Sequence, residues 1–319
     1  MKLHGREIKI FSGNATPQLA EGIARELGLE VGLSKVGQFA DGETSVHIQE
    51  TVRGFDVFLV QSTCKPVNDH LMEILIMIDA FRRASASRIT AVIPYYGYAR
   101  QDRKSRARDP ISAKLVADLI TAAGADRVLT MDLHAPQIQG FFDIPVDHLE
   151  GAPLLMDYFS HLFHGPERDR VTIVSPDLGS VARTRKFAEK FDAPLAIVDK
   201  RRQRANESEV MNIIGDVKGR TVVLIDDIID TAGTLVNAAE AIVNAGAKKV
   251  YAGATHAVLS DPAVERIKCS VLEQVVVLDT VPLAEEKQCN KIVQLSSAKV
   301  FADAINRIYE EKPVSPLFL

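Results

Sequence analysis

Short runs of β-branched and aliphatic residues recur along the chain, each ending in polar or turn-forming positions. In the first half they cover 8–11 (IKIF), 56–62 (DVFLVQS), 89–96 (ITAVIPYY) and 127–134 (RVLTMDLH). The second half adds 171–177 (VTIVSPD), 195–200 (LAIVDK), 221–227 (TVVLIDD) and 274–279 (QVVVLD). These runs are nearly continuous in apolar residues rather than alternating, which is the pattern of parallel strands covered on both faces by helices. Between them the apolar positions take helical spacing. The segments after Ser112 and Thr234 each stop at a glycine, Gly124 and Gly246, suited to a helix C-cap. The most apolar helical stretch, 71–81, is interrupted by Glu73 and Asp79 and reads as an amphipathic core helix. Strand and helix alternate throughout, so the pattern predicts an α/β fold.

At 319 residues the chain exceeds one ordinary domain. Two domains are expected, 1–145 and 146–319, with the last residues able to pack back on the first. AGADRVLTMDLHA (123–135) and AGAKKVYAGATHA (245–257) align without a gap and close on the same His-Ala pair. That echo lends weak support to two related halves. A 46% hydrophobic fraction, 25% charged residues and mean hydropathy of +0.03 describe a globular chain with ample core. A net charge of -4 argues against a nucleic-acid partner, whose basic footprint would dominate the balance. No run reaches the apolar length of a membrane span, and the charged start MKLHGREIKI lacks the apolar core of a signal peptide. Cys64, Cys269 and Cys289 are odd in number and lack any C-x-x-C spacing, so reduced, buried thiols in a cytoplasm are expected.

The chemistry concentrates in VVLIDDIIDTAGTL (222–235). A strand is expected to end in Asp226 and Asp227, followed by Asp230, then Thr231-Ala232-Gly233-Thr234, then a helix. Strand ends in a parallel sheet form the ligand crevice. A small-residue loop entering a helix there presents free backbone N–H groups and the positive end of the helix dipole, which suit a phosphate. Thr231 and Thr234 add hydroxyl donors, while Ala232 and Gly233 let the backbone approach closely. Carboxylates beside a phosphate repel it unless they hold sugar hydroxyls or a divalent cation. Phosphate below and diol above describe a ribose-phosphate site. The chain has neither G-x-x-x-x-G-K-[ST] nor a G-x-G-x-x-G after a strand.

DDIIDTAGT resembles the loop shared by phosphoribosyltransferases and ribose-phosphate pyrophosphokinases (phosphoribosyl pyrophosphate synthetases). FADGE (39–43), PYYGYARQDRK (94–104), DLHAPQIQGFF (132–142), SPD (175–177) and DKRR (199–202) resemble the class I bacterial pyrophosphokinases, so the likeness spans practically the whole chain. It implies two phosphoribosyltransferase-like domains, each a mostly parallel sheet flanked by helices. The implied reaction moves the β,γ-pyrophosphoryl group of MgATP to the C1 hydroxyl of ribose 5-phosphate, with Mg2+ as cofactor and a homohexamer as the assembly.

Two segments are rich in cations: 100–109 (RQDRKSRARD) and 200–204 (KRRQR). An acidic chain that gathers cations at two strand ends focuses positive potential suited to a polyanion such as ATP. A Lys-x-Arg on a flexible loop fits a lid over transferring phosphates. The resemblance makes Lys200 and Arg202 the catalytic pair, with Arg202 also reaching ribose 5-phosphate. It places Phe39, Asp41, Gly42 and Glu43, from a neighbouring subunit, with Arg100 and Gln101 on ATP. It gives Asp226, Asp227, Asp230, Thr231, Ala232, Gly233 and Thr234 to ribose 5-phosphate, and His134 and Asp177 to the metal. Magnesium prefers oxygen, which favours Asp177 over His134. The family usually reads SPD-x-G-G where this chain has SPDLGS, placing Ser180 at the second glycine. A phosphoribosyltransferase would share the 226–234 loop but leave both basic segments unexplained. A non-catalytic relative would have lost the catalytic side chains, and a receiver-like signalling module would lack the phosphate loop.

Overall fold

The computed structural model describes residues 2–3, 6–201 and 210–317. The chain divides into two compact units, one of 1–150, 280–282 and 296–319, the other of 151–279 and 283–295.

The first unit contains β1 (Lys2–Leu3), β2 (Arg6–Ser12), α1 (Pro17–Glu26), β3 (Ser34–Gln38), β4 (Thr44–Ile48), β5 (Asp56–Val60), α2 (Val67–Arg83), β6 (Arg88–Ile93), α3 (Ser112–Ala123), β7 (Arg127–Met131) and β8 (Val146–Leu149). Its sheet runs β1-β2-β5-β6-β7-β8 and is parallel from β2 onward. β5 is buried along its whole length, as its unbroken apolar run predicts. Gly124 closes α3 in the left-handed conformation expected of a helix-ending glycine. Strands β3 and β4 form a separate antiparallel hairpin. Glu73, which interrupts the apolar pattern of α2, is itself buried. Its carboxylate accepts the side-chain amides of Gln61 and Asn14, both at 2.7 Å, so the polar group enters the core with its acceptors satisfied.

The second unit contains α4 (Ala152–Leu162), β9 (Val171–Ser175), α5 (Val181–Phe191), β10 (Leu195–Arg201), β11 (Val210–Ile214), β12 (Thr221–Ile229), α6 (Gly233–Asn244), β13 (Lys249–Ala257), α7 (Ala263–Cys269), β14 (Gln274–Leu278) and β15 (Ile292–Leu295). The sheet runs β11-β10-β9-β12-β13-β14-β15, with β11 antiparallel to β10 and the other pairs parallel. After β9 the chain moves outward to β10, then returns to lay β12 on the opposite side of β9. The strand order therefore reverses between β9 and β12, and the crevice at their carboxyl ends is where open α/β sheets bind ligands. The final helix, α8 (Ala298–Tyr309), belongs to the first unit, where it packs on α1.

One expectation needs correction. The echoed segments enter β7 and β13, each the fourth strand counted from the first parallel strand of its sheet, β2 or β10. His134 is exposed beyond β7, whereas His256 is buried within β13. The two units thus share a place in the strand order, while the closing histidines differ in their surroundings. The cysteines, however, are not all buried: Cys64 is, Cys289 is half-buried, and Cys269 is exposed at the last residue of α7. Among the described residues no helix is long and apolar enough to cross a membrane.

Candidate active site

The carboxyl ends of β9 and β12 carry most of the second unit's expected site. Just beyond β9, Asp177 turns the chain into α5: its Oδ1 accepts the Ser180 backbone N–H at 3.0 Å. The Ser180 hydroxyl crosses to the neighbouring strand and donates to Asp226 Oδ1 at 2.8 Å. One turn into α5, Arg183 places Nη1 2.8 Å from Asp227 Oδ1 and 4.0 Å from Asp226 Oδ1. Neither Ser180 nor Arg183 is marked out as a site residue by the sequence pattern. The only signal for the first is its departure from the family's glycine, and for the second its position one helical turn past Gly179.

The pattern predicts the strand to end at the acidic pair, but β12 continues to Ile229. Asp226 pairs in register with Ala254 and Ile228 with His256, so both acids lie inside the last stretch of strand and are held by its ladder. Asp227 is buried, Asp226 less so. Burial first, and then repulsion from Asp227, pushes the Asp226 carboxyl up to about 7, against the smaller opposing effect of the Ser180 hydrogen bond. A carboxyl raised in this way keeps its proton in the folded chain across a window where the unfolded chain has lost it. Its contribution to stability is full below the ordinary carboxylate range and is lost as pH climbs through about 7. Asp226→Asn should remove that dependence, so the wild-type thermal midpoint should fall relative to the variant's between about pH 4 and pH 7. Parallel melting curves across that range would show that Asp226 ionises as in the unfolded chain.

After β12 the chain turns through Asp230 and Thr231 into α6, whose N-cap residue, Ala232, is buried and left-handed (φ 59°). A non-glycine residue there costs roughly 1–2 kcal/mol, a form of strain that collects at ligand-binding loops. Ala232→Gly should therefore raise unfolding stability by about 0.5–1 kcal/mol after allowing for the looser unfolded chain. Denaturant titration reads this directly, and a loss of stability would show that packing of the buried methyl outweighs the strain. At Gly233 a Cβ would lie 3.3 Å from Arg266 Nη1, so the guanidinium would have to shift by a few tenths of an ångström to admit a side chain. That guanidinium also donates to the Thr231 carbonyl at 2.9 Å. It braces the loop and adds positive charge beside the amides that open α6. Arg266, on α7, lies 35 residues from Thr231 in sequence, and no local pattern links the two.

The first unit holds the remaining expected residues. Phe39, 59% exposed, stands where β3 turns toward β4, beside exposed Asp41, Gly42 and Glu43. The tip is closed by its own backbone: Phe39 N–H donates to the Glu43 carbonyl at 2.8 Å. Arg100 and Gln101 are exposed in the connection leading to α3, where Gln101 Oε1 accepts the Ser112 hydroxyl at 2.5 Å. His134 is exposed past β7. Its neighbour Leu133 donates a backbone N–H to His148 Nε2 at 2.8 Å, which requires that nitrogen to be unprotonated. Lys200 is placed in β10, its backbone opposite Met211, rather than in a loop, because the β10–β11 pairing carries the strand through Arg201. Arg202 lies outside the described residues.

Residues 8–124 match the family described as the N-terminal domain of ribose phosphate pyrophosphokinase, and residues 198–319 match the phosphoribosyl synthetase-associated domain. The ribose-phosphate pyrophosphokinase of Clostridium perfringens is 64% identical over 318 residues, covering 100% of this chain and 99% of the relative. That of Bacillus caldolyticus is 56% identical over 312 residues, covering 98% of each. Among solved structures, phosphoribosylpyrophosphate synthetase from Mycobacterium smegmatis superimposes with a TM-score of 0.91 at 44% identity, over 96% of this chain and 100% of that one. Identity of this extent and a shared fold from end to end place the chain in the ribose-phosphate pyrophosphokinase family.

Proposed function

We propose that this chain transfers the β,γ-pyrophosphoryl group of MgATP to the C1 hydroxyl of ribose 5-phosphate, giving 5-phosphoribosyl 1-pyrophosphate and AMP. The observation that carries this reading is the pairing, at one strand end, of a braced anion loop with two carboxylates. The 5-phosphate sits on the amides and hydroxyls of 231–234, and the ring hydroxyls meet Asp226 and Asp227. Asp227 faces the Arg183 guanidinium, so it is the acid better held as an acceptor.

The transferred group brings little covalent work for the protein: the C1 oxygen attacks the β-phosphorus in line as the bond to AMP breaks. Lys200 and Arg202 neutralise charge that builds on the bridging and terminal oxygens. Phe39, Asp41, Gly42 and Glu43 hold adenine from a neighbouring copy in a homohexamer, and Arg100 and Gln101 contact the nucleotide. The exposed aromatic at the hairpin tip supports that role. Magnesium enters with ATP. Among the described residues no three His, Cys, Asp or Glu side chains gather to hold a metal. That fits an ion carried mainly by substrate phosphates and water, with one or two protein oxygens. Asp177 supplies the oxygen donor in that scheme, and His134 a second contact. The cytoplasm, where ATP and sugar phosphates are made, is the compartment proposed.

Incubating the purified chain with MgATP and ribose 5-phosphate tests the reaction. AMP and a pyrophosphorylated sugar should form one for one. ADP, or orthophosphate released without sugar product, would overturn the reading in favour of an ordinary kinase or ATPase.

A further inference from the structure

The geometry points to Ser180 as a positioning residue that fixes the Asp226 carboxylate in the orientation from which it meets the ribose ring. Its role depends on the proposal that ribose 5-phosphate is what Asp226 receives.

A serine at the N-cap of a helix ordinarily turns its hydroxyl back on the first turn, where it accepts an orphan backbone N–H. Ser180 occupies the N-cap of α5 yet makes no such bond. Its hydroxyl instead donates to Asp226 Oδ1 at 2.8 Å, 46 residues away in sequence. The same oxygen accepts the Asp227 backbone N–H at 2.9 Å, so two donors on one oxygen set the plane of the carboxyl. The serine is itself well anchored. Its N–H is held by Asp177, its carbonyl accepts the Thr184 hydroxyl at 2.9 Å, and the residue is buried. Ser180 therefore links the turn that carries Asp177 to the acid of the adjacent strand. Where glycine stands at this position, that link is missing and one of the two donors to Oδ1 is lost.

A capping role and a positioning role predict opposite patterns in two variants. Glycine is nearly as good an N-cap as serine, whereas alanine is poor. If Ser180 served only the helix, Ser180→Gly would match the wild type and Ser180→Ala alone would lose thermal stability and activity together. If its hydroxyl positions Asp226, both variants lose the same hydroxyl donor to Oδ1. Each should then raise the KM for ribose 5-phosphate about tenfold, with kcat and the KM for ATP within about twofold of wild type. Calorimetric titration with ribose 5-phosphate should show the same weakening in both. Either variant binding the sugar phosphate like the wild type overturns the positioning role, as does a loss shared equally by ATP. A wild-type chain that neither binds nor turns over ribose 5-phosphate removes the ribose reading itself, an outcome distinct from the failure of Ser180.

Discussion

Lys200→Ala should lower kcat about a thousandfold while leaving the KM values for ATP and ribose 5-phosphate within about twofold of wild type. As the β-phosphorus passes between oxygens, charge accumulates on the departing bridging oxygen and on the transferred group. A cation that meets this charge only in the transition state contributes to the rate without strengthening substrate binding. The backbone of Lys200 is set by the β10 ladder, in register with Met211, so the residue starts from a fixed strand end. The strand order puts β10 directly beside β9, whose end carries Asp177. Arginine at the same position should restore part of the lost rate, because charge is kept while the point geometry is not. Steady-state kinetics distinguish the cases: a variant that loses affinity with kcat intact would contradict the role.

Arg183→Met should destabilise the fold by about 3 kcal/mol, because the change leaves the Asp227 carboxylate buried without the guanidinium that faces it. The arginine side chain is 26% exposed and the aspartate side chain 4%, so most of the cost falls on the acid. Adding Asp227→Asn to Arg183→Met should recover much of the loss, since a neutral amide needs no cation. The two changes should therefore be strongly non-additive in denaturant unfolding. Additive losses would mean that the pair does not interact in the folded chain. The double variant should remain poor at binding ribose 5-phosphate, which separates the stability role of the pair from its part in the site.

The α/β architecture was legible because parallel strands covered on both faces cannot hide their apolar runs. Each of the eight runs read from the pattern lies on a strand of the two sheets. Outside those runs lie β1, the hairpin β3–β4 and the short strands β8, β11 and β15, whose described residues are mostly only partly buried. So does β13, which is buried but breaks its aliphatic run at Gly253, Thr255 and His256. Within the site, Asp226, Asp227 and 230–234 were readable because the strand, loop and helix that hold them are consecutive in sequence. Ser180, Arg183 and Arg266 were not. Each reaches its partner across the sheet end from another element, and only the strand order β10-β9-β12-β13 brings α5 and α7 to the loop. Lys200 closes the run read over 195–200, and β10 carries one residue further, to Arg201.

A structure of the full chain crystallised with ribose 5-phosphate examines the central point most directly. The expected result has the 5-phosphate on the backbone amides of 231–234, below the Arg266 brace, with ring hydroxyls within hydrogen-bond distance of Asp226 and Asp227. A sugar phosphate bound elsewhere, with that loop unchanged and vacant, would contradict it.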